Sequence, residues 1–211
     1  AIEHVYGHHK NVGLKGDPAT ATRGENLYMF IIRGTIKAHK DAWNIEINRL
    51  KRASNFPFTL KNRMIQGYIR SLILCVSAFY IGGFFGLAIF ILWSMFAKSY
   101  LETINFVEHY GLVRAQGQPV MPKHSWNSNH VASSALLYNL NRHSSHHEKA
   151  NLRYWDLKSY SNAPTLPYGY LHCLYLAYFA PFLFKKMMRP KLDEWDEKFA
   201  SDKEKQIISS Y

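Results

Sequence analysis

From Ser71 to Ala97 the chain runs for 27 positions without a charged residue, and its apolar side chains fall on every side rather than along one stripe. A run longer than about 18 residues of this kind predicts a membrane-spanning helix. As one helix it would measure about 40 Å at about 1.5 Å per residue, which is long for a single crossing. Gly82, Gly83 and Gly86 sit at its middle, where a tight turn belongs. Arg63, Arg70, Lys98 and Glu102 flank it sparsely. One span, or a helical hairpin of roughly residues 62–82 and 85–106, both satisfy the pattern. Before it, residues 10–70 carry 12 Lys/Arg against 4 Asp/Glu, with Leu27, Phe30, Ile31, Ile45 and Leu50 interleaved. That predicts one or two amphipathic helices beside an anionic leaflet, on the cytoplasmic side. Asn55 and Pro57 mark a turn before membrane entry. Residues 111–135, polar and containing Pro119 and Pro122, read as a loop. Leu171–Phe184 is a 14-residue apolar run, too short to span and suited to an interfacial or re-entrant segment. The chain from Lys185 onward reads as a charged, solvated tail.

Composition narrows the function classes. Apolar residues make up 47% of the 211, so the chain is not a disordered segment. Its two cysteines, Cys75 and Cys173, exclude a disulfide-stapled scaffold and a multi-cysteine zinc or iron–sulfur framework. The net charge of +11 suits an anionic membrane face or an acidic protein. It does not point to nucleic acid, because the basic residues are spread and no nucleic-acid fold signature accompanies them.

The 11 histidines decide where the chemistry lies. His4, His8 and His9 stand in EHVYGHH, His109 in INFVEHYGL, and His143, His146 and His147 in NRHSSHH. On a helix, residues four apart share a face about 6 Å apart, so His4 with His8, and His143 with His147, can each clamp one cation. His146 adds a ligand three residues on from His143. Adjacent histidines point about 100° apart, which suits two neighbouring metals. Imidazole serves iron, copper, zinc and nickel alike, so ligand type alone does not name the metal. Glu3 and Glu108 each precede a histidine and are candidates for carboxylates that orient the rings. If the first and third clusters build one centre they must lie on one membrane face. Only the hairpin returns the chain to its starting side. The expected fold class is therefore all-α: an integral membrane helical protein of one domain over residues 1–211, with a transmembrane hairpin at about 62–106. Cytoplasmic helices carry the histidine-rich site.

Four ordered motifs, EHVYGHH (3–9), NFVEHYGL (105–112), HSWNSNH (124–130) and RHSSHH (142–147), resemble those of the membrane-bound non-haem di-iron alkane monooxygenases. DPATATRGENLY and PTLPYGY extend the similarity, which covers most of residues 1–190. The same boxes occur more loosely in xylene monooxygenase and in fatty-acid desaturases and hydroxylases. NFVEHYGL and HSWNSNH favour the alkane branch. The resemblance implies that His4, His8, His9, His109, His143, His146 and His147 are ligands of two non-haem iron ions. It gives His124 and His130 a structural or supporting role; His39 and His172 match no motif. Family members also carry an earlier H-E-x-x-H-K motif after further membrane helices. The chain thus looks like the C-terminal part of a desaturase-like or hydroxylase-like domain, expected to be inactive alone.

The implied reaction is hydroxylation of n-alkanes to 1-alkanols with O2 as co-substrate. Electrons would come from rubredoxin and its NAD(P)H-dependent reductase. The implied setting is a multi-pass protein of the bacterial inner membrane, in contact with lipid and alkane, with its active site on the cytoplasmic side. The metal carries such chemistry and the protein positions the substrate. The rivals are a fatty-acid desaturase or xylene-type hydroxylase of the same class, and a non-enzymatic membrane metal-binding protein. The last needs polar ligands within the membrane, yet residues 71–97 contain no histidine or acid.

Overall fold

The computed structural model describes residues 2–149 and 151–210, and its regular elements are all helical. A π-helical turn, His4–His8, leads into α1 (His9–Asn11). There follow α2 (Leu27–Arg52), α3 (Arg63–His109), α4 (Val131–Leu136), α5 (His143–Glu148), α6 (Tyr170–Phe179), α7 (Pro181–Lys198) and α8 (Asp202–Ser209). A 3-10 turn at Pro122–His124 and an isolated parallel bridge between Asn127 and Thr165 lie within the loops.

The basic, amphipathic stretch forms one helix. Asn26 caps α2 by accepting from the backbone N–H groups of Tyr28 and Met29. Leu27, Phe30, Gly34, Ala42, Glu46 and Leu50 are its buried residues, at spacings of three, four and eight that keep one face inward. Arg49, Lys51 and Arg52 occupy the last turn, where cations complement the helix dipole.

Helix α3 breaks at its centre. Gly82 (φ −129°, ψ 15°) and Gly83 (φ 59°, ψ −152°) leave helical geometry, and Gly83 takes a conformation only glycine tolerates well. The chain folds back there. A Cβ added at Gly86 would lie 2.7 Å from the carbonyl oxygen of Ala78, a contact that a straight helix could not bring about. The two ends agree: Arg63 binds Glu46, while Glu102 lies against Gly34 of the same helix α2. Along a straight helix Arg63 and Glu102 would be about 58 Å apart, whereas Gly34 and Glu46 are about 18 Å apart. None of the most apolar stretch of α3 is buried within the protein, and Tyr80, Ile81, Phe84 and Phe85 stand out at the fold-back. This is a long apolar helix with the character of a membrane segment.

The core lies beyond the free end of this hairpin, where the N-terminal half of α2 meets the last turns of α3, α6 and α7. Phe30, Phe106, Tyr110 and Phe184 pack edge-on or tilted against one another at its centre, with Trp126 and Trp195 fully buried beside them. Leu171–Phe184 divides at Ala180 between α6 and α7. Cys173, Leu174, Ala177 and Phe184 face the core, and Tyr175, Phe179, Phe182 and Leu183 face outward. The region after Lys185 is not the solvated tail that its charges suggest. Met188, Leu192 and Trp195 recur every three or four residues and bury one face of α7, and α8 buries Glu204. The charged residues between them occupy the outer face. Arg23 holds α7 in place with a bidentate pair to Asp196, at 2.7 and 2.5 Å.

Candidate metal centre

The N-terminal histidines sit on a widened turn. The N–H of His9 bonds to the carbonyl of His4, five residues back, and a π turn of this kind is rare outside functional sites. At Gly7 the turn runs close under the Glu3 carboxylate, which a Cβ there would push aside. Widening brings His4 close to both following histidines, with ring centroids at 5.1 Å from His8 and 5.0 Å from His9. His109 projects from the last turn of α3. The loop after it is pinned by Trp126, whose backbone N–H bonds to the carbonyl of Glu108 and whose indole donates to the carbonyl of Tyr110. Asn127 then fixes the start of α5: its amide oxygen accepts from the Ser144 N–H and its amide nitrogen donates to the Ser144 hydroxyl. Arg114 ties the same loop to the first turn through the carbonyls of Lys10 and Val12.

These elements bring all seven histidines together, in two neighbouring groups. His8, His109, His143 and His147 are buried, and His4, His9 and His146 are half-buried; within each group the candidate ligand atoms lie within 4.8 Å of one another. In the buried group, Nε2 of His143 is 3.1 Å from Nε2 of His109 and 2.9 Å from Nε2 of His147. The two doublets are divided, since His8 and His147 belong to the buried group and His9 and His146 to the outer one. His143 and His147 share a group, as the four-residue spacing predicts. His4 and His8 do not, because the turn carrying them is π rather than α.

The surroundings prepare the rings for a cation. Nδ1 of His8 is 2.8 Å from Oδ2 of Asp17, both side chains fully buried, and Nδ1 of His109 is 3.1 Å from the carbonyl of His124. With those nitrogens donating, Nε2 of each ring keeps its lone pair for the interior, and Nε2 of His8 has no other partner. Oε1 of Glu108 is 3.1 Å from Nδ1 of His143, but off the hydrogen-bonding direction, so this is a close polar contact rather than a formed hydrogen bond. Burial, followed by the neighbouring imidazoles, holds His4 down at about 3 and His9 at about 4, and depresses His143 and His147 as well. Neutral rings with converging lone pairs are what a transition metal requires. The donor set fits a metal, and iron is among those it suits.

Of the other residues singled out by sequence, Glu3 faces Gly7 with Oε1 unpaired, and burial raises its carboxyl to about 7. His124 is fully buried in a network with Glu204, His130 is exposed, and His39 hydrogen-bonds Tyr68 on the α2–α3 surface. His172 contacts only Tyr168 among the described aromatic rings. Asp17 is the residue that sequence reasoning missed. It also accepts from the Thr20 hydroxyl, at 2.5 Å, on the same oxygen that faces His8. Its place in DPATATRGENLY was the available signal.

Comparison with known proteins agrees with this geometry. The chain is 38% identical to alkane 1-monooxygenase 1 of Alcanivorax borkumensis over 202 residues, which is 92% of the chain and 49% of that protein. It is 36% identical to the alkane 1-monooxygenase of Acinetobacter baylyi, over 93% of the chain and 49% of the relative. With the xylene/toluene monooxygenase hydroxylase component of Pseudomonas putida it shares 32% identity, over 98% of the chain and 56% of that protein. The chain thus spans about half the length of the curated relatives it matches. The fatty acid desaturase family model matches residues 1–197, and the chain belongs to that family.

Proposed function

We propose that this chain forms the histidine site of a membrane di-iron monooxygenase that hydroxylates the terminal carbon of n-alkanes. The observation that carries the reading is the gathering of seven histidines into two adjacent groups, one per metal ion, at the open end of an exposed apolar hairpin. In this reading His8, His109, His143 and His147 hold one iron and His4, His9 and His146 the other. Iron held there would activate O2, so that one oxygen atom enters an unactivated C–H bond and the other leaves as water. The chain's own residues do the rest. Asp17 and the His124 carbonyl set which ring nitrogens carry protons. The two arms of α3 cross the membrane, return the chain to the cytoplasmic side and offer an alkane a route that excludes water. Electrons come from an acidic rubredoxin and its NAD(P)H-dependent reductase. A groove of about 480 Å³ beside the histidine turn, lined by Lys10, Arg49, Arg52 and Arg63, supports an acidic donor.

The test is metal quantification on the protein in detergent. Bound iron is expected, held weakly by this chain alone, falling on His143→Ala and unchanged on His39→Ala. Iron content that is the same in all three proteins would overturn the reading. A xylene-type substrate is the second reading, favoured by the 32% identity to the xylene/toluene enzyme component. Products from octane and from xylene, assayed with rubredoxin, its reductase and NADH in a protein that joins this chain to the family's H-E-x-x-H-K segment, decide between them.

A further inference from the structure

His124 opens the H-S-W-N-S-N-H motif, yet the seven-histidine set leaves it out. It is fully buried, and its ring is held on both sides. Nδ1 accepts from the backbone N–H of Met121 at 3.0 Å, so Nε2 carries the proton and donates to Oε1 of Glu204, also at 3.0 Å. Glu204 comes from α8, 80 residues further along the chain and beyond the residues that the family model matches. It is only 1% exposed. Its other oxygen accepts from Lys123 Nζ at 2.5 Å and from the N–H and hydroxyl of Ser201, which caps the same helix. Trp195 of α7 adds a bond to the carbonyl of Lys123 at 2.7 Å. The His124 residue so fixed on its ring and on its N-terminal side carries, in the next peptide, the carbonyl that accepts from Nδ1 of His109.

We propose that α8 is a clasp on the metal centre: Glu204, through His124, is a positioning residue that sets the tautomer and direction of the His109 ring. The inference rests on the metal-site reading above. Without the clasp the His124 carbonyl loses its fixed place. His109 can then put its proton on Nε2, where it blocks the lone pair that faces His143. With the clasp the ring presents one tautomer, and losing a partner that orients a metal-binding histidine weakens binding by about tenfold or more.

The experiment compares wild type, Glu204→Ala, Glu204→Gln, which keeps an acceptor for His124, and His124→Phe, which keeps an aromatic ring and abolishes the bond. Nitrogen-15 spectra of histidine-labelled, metal-free protein in detergent report the His109 tautomer, and Co(II) titration reports affinity. The expected result is one Nδ1–H tautomer in wild type and Glu204→Gln, and a mixture in Glu204→Ala and His124→Phe. Co(II) binding should weaken about tenfold in the latter two. A single tautomer in Glu204→Ala overturns the clasp, and if that variant does not fold, a single tautomer in His124→Phe does so. Failure of the wild-type protein to bind Co(II) would instead count against the metal-site reading, while the metal-free spectra still decide the clasp.

Discussion

Replacing Asp17 with alanine removes the carboxylate that meets the His8 ring, at 2.8 Å, in a site where neither side chain is exposed. Two costs follow. Left without an acceptor, the buried Nδ1–H of His8 is unsatisfied, which costs about 1–3 kcal/mol of stability. The Thr20 hydroxyl, which donates to the same oxygen, loses its acceptor too, but it is only partly buried and water can replace that bond. The second cost falls on metal binding. Losing a second partner of this kind costs about 10–100-fold in affinity, or about 1.4–2.7 kcal/mol. Asp17→Asn should be milder, near tenfold, because a single amide oxygen can accept from both His8 and Thr20 as Oδ2 does now. Co(II) titration followed by absorbance, with far-UV circular dichroism as a folding control, reads both variants. Affinity in a folded Asp17→Ala protein within twofold of wild type would show that His8 is oriented by something else.

Three further outcomes are expected. The folded pKa values of His4 and His9, about 3 and 4, lie below the free value of 6.5, so between those limits the unfolded chain binds more protons. The contribution of these two rings to the stability of the metal-free protein is therefore full above about pH 6.5 and falls as pH drops toward 3, which acid titration of wild type beside a His4→Ala/His9→Ala variant by circular dichroism checks. Glu46 is fully buried and joins Arg49 and Arg63 across the α2–α3 junction. Burial alone would raise its carboxyl, but the hydrogen bonds from both arginines outweigh that and hold it at about 2. Since both guanidinium groups are more than one-third exposed, Glu46→Ala should cost only about 1–2 kcal/mol in denaturant unfolding. Gly83→Ala forces a side chain into a backbone region reserved for glycine and should cost about 1–3 kcal/mol, read as a lowered melting temperature.

What could be read from the sequence was what repeats locally. The charge-free run announced the apolar helix, and three glycines at its centre announced the place where it bends. Histidine spacing announced the cluster, because a few residues on one or two turns carry the whole signal. What could not be read depends on long reach or on unusual backbone. Glu204 meets His124 across 80 positions, and no pattern near either residue requires the other. Asp17 acts from an irregular loop, where no periodicity assigns a direction to its side chain. The separation of His4 from His8 follows from a π turn, whereas the four-residue rule assumes an α-helix. Helix α7 did carry a readable stripe of Phe184, Met188, Leu192 and Trp195, hidden among the lysines and acids of its outer face.

The division of the doublets explains why two separate chain segments each end in a pair of histidines. Neighbouring residues on a helix point about 100° apart, so one short turn can offer a ring to each of two adjacent centres while its backbone fixes their separation. His8–His9 does this from one side and His146–His147 from the other, and the two groups are linked through both. His109 and His143 complete the buried group, where a carbonyl faces one ring and Glu108 the other. The outer group has three half-buried histidines, and Nδ1 of His9 has no partner among the described residues. A metal in the buried group would be held by four buried rings, two of them, His8 and His109, oriented by hydrogen bonds. A metal in the outer group would be held by three half-buried rings, nearer to solvent. The asymmetry is built into the backbone, because one segment is a widened turn and the other an α-helical turn pinned by Asn127.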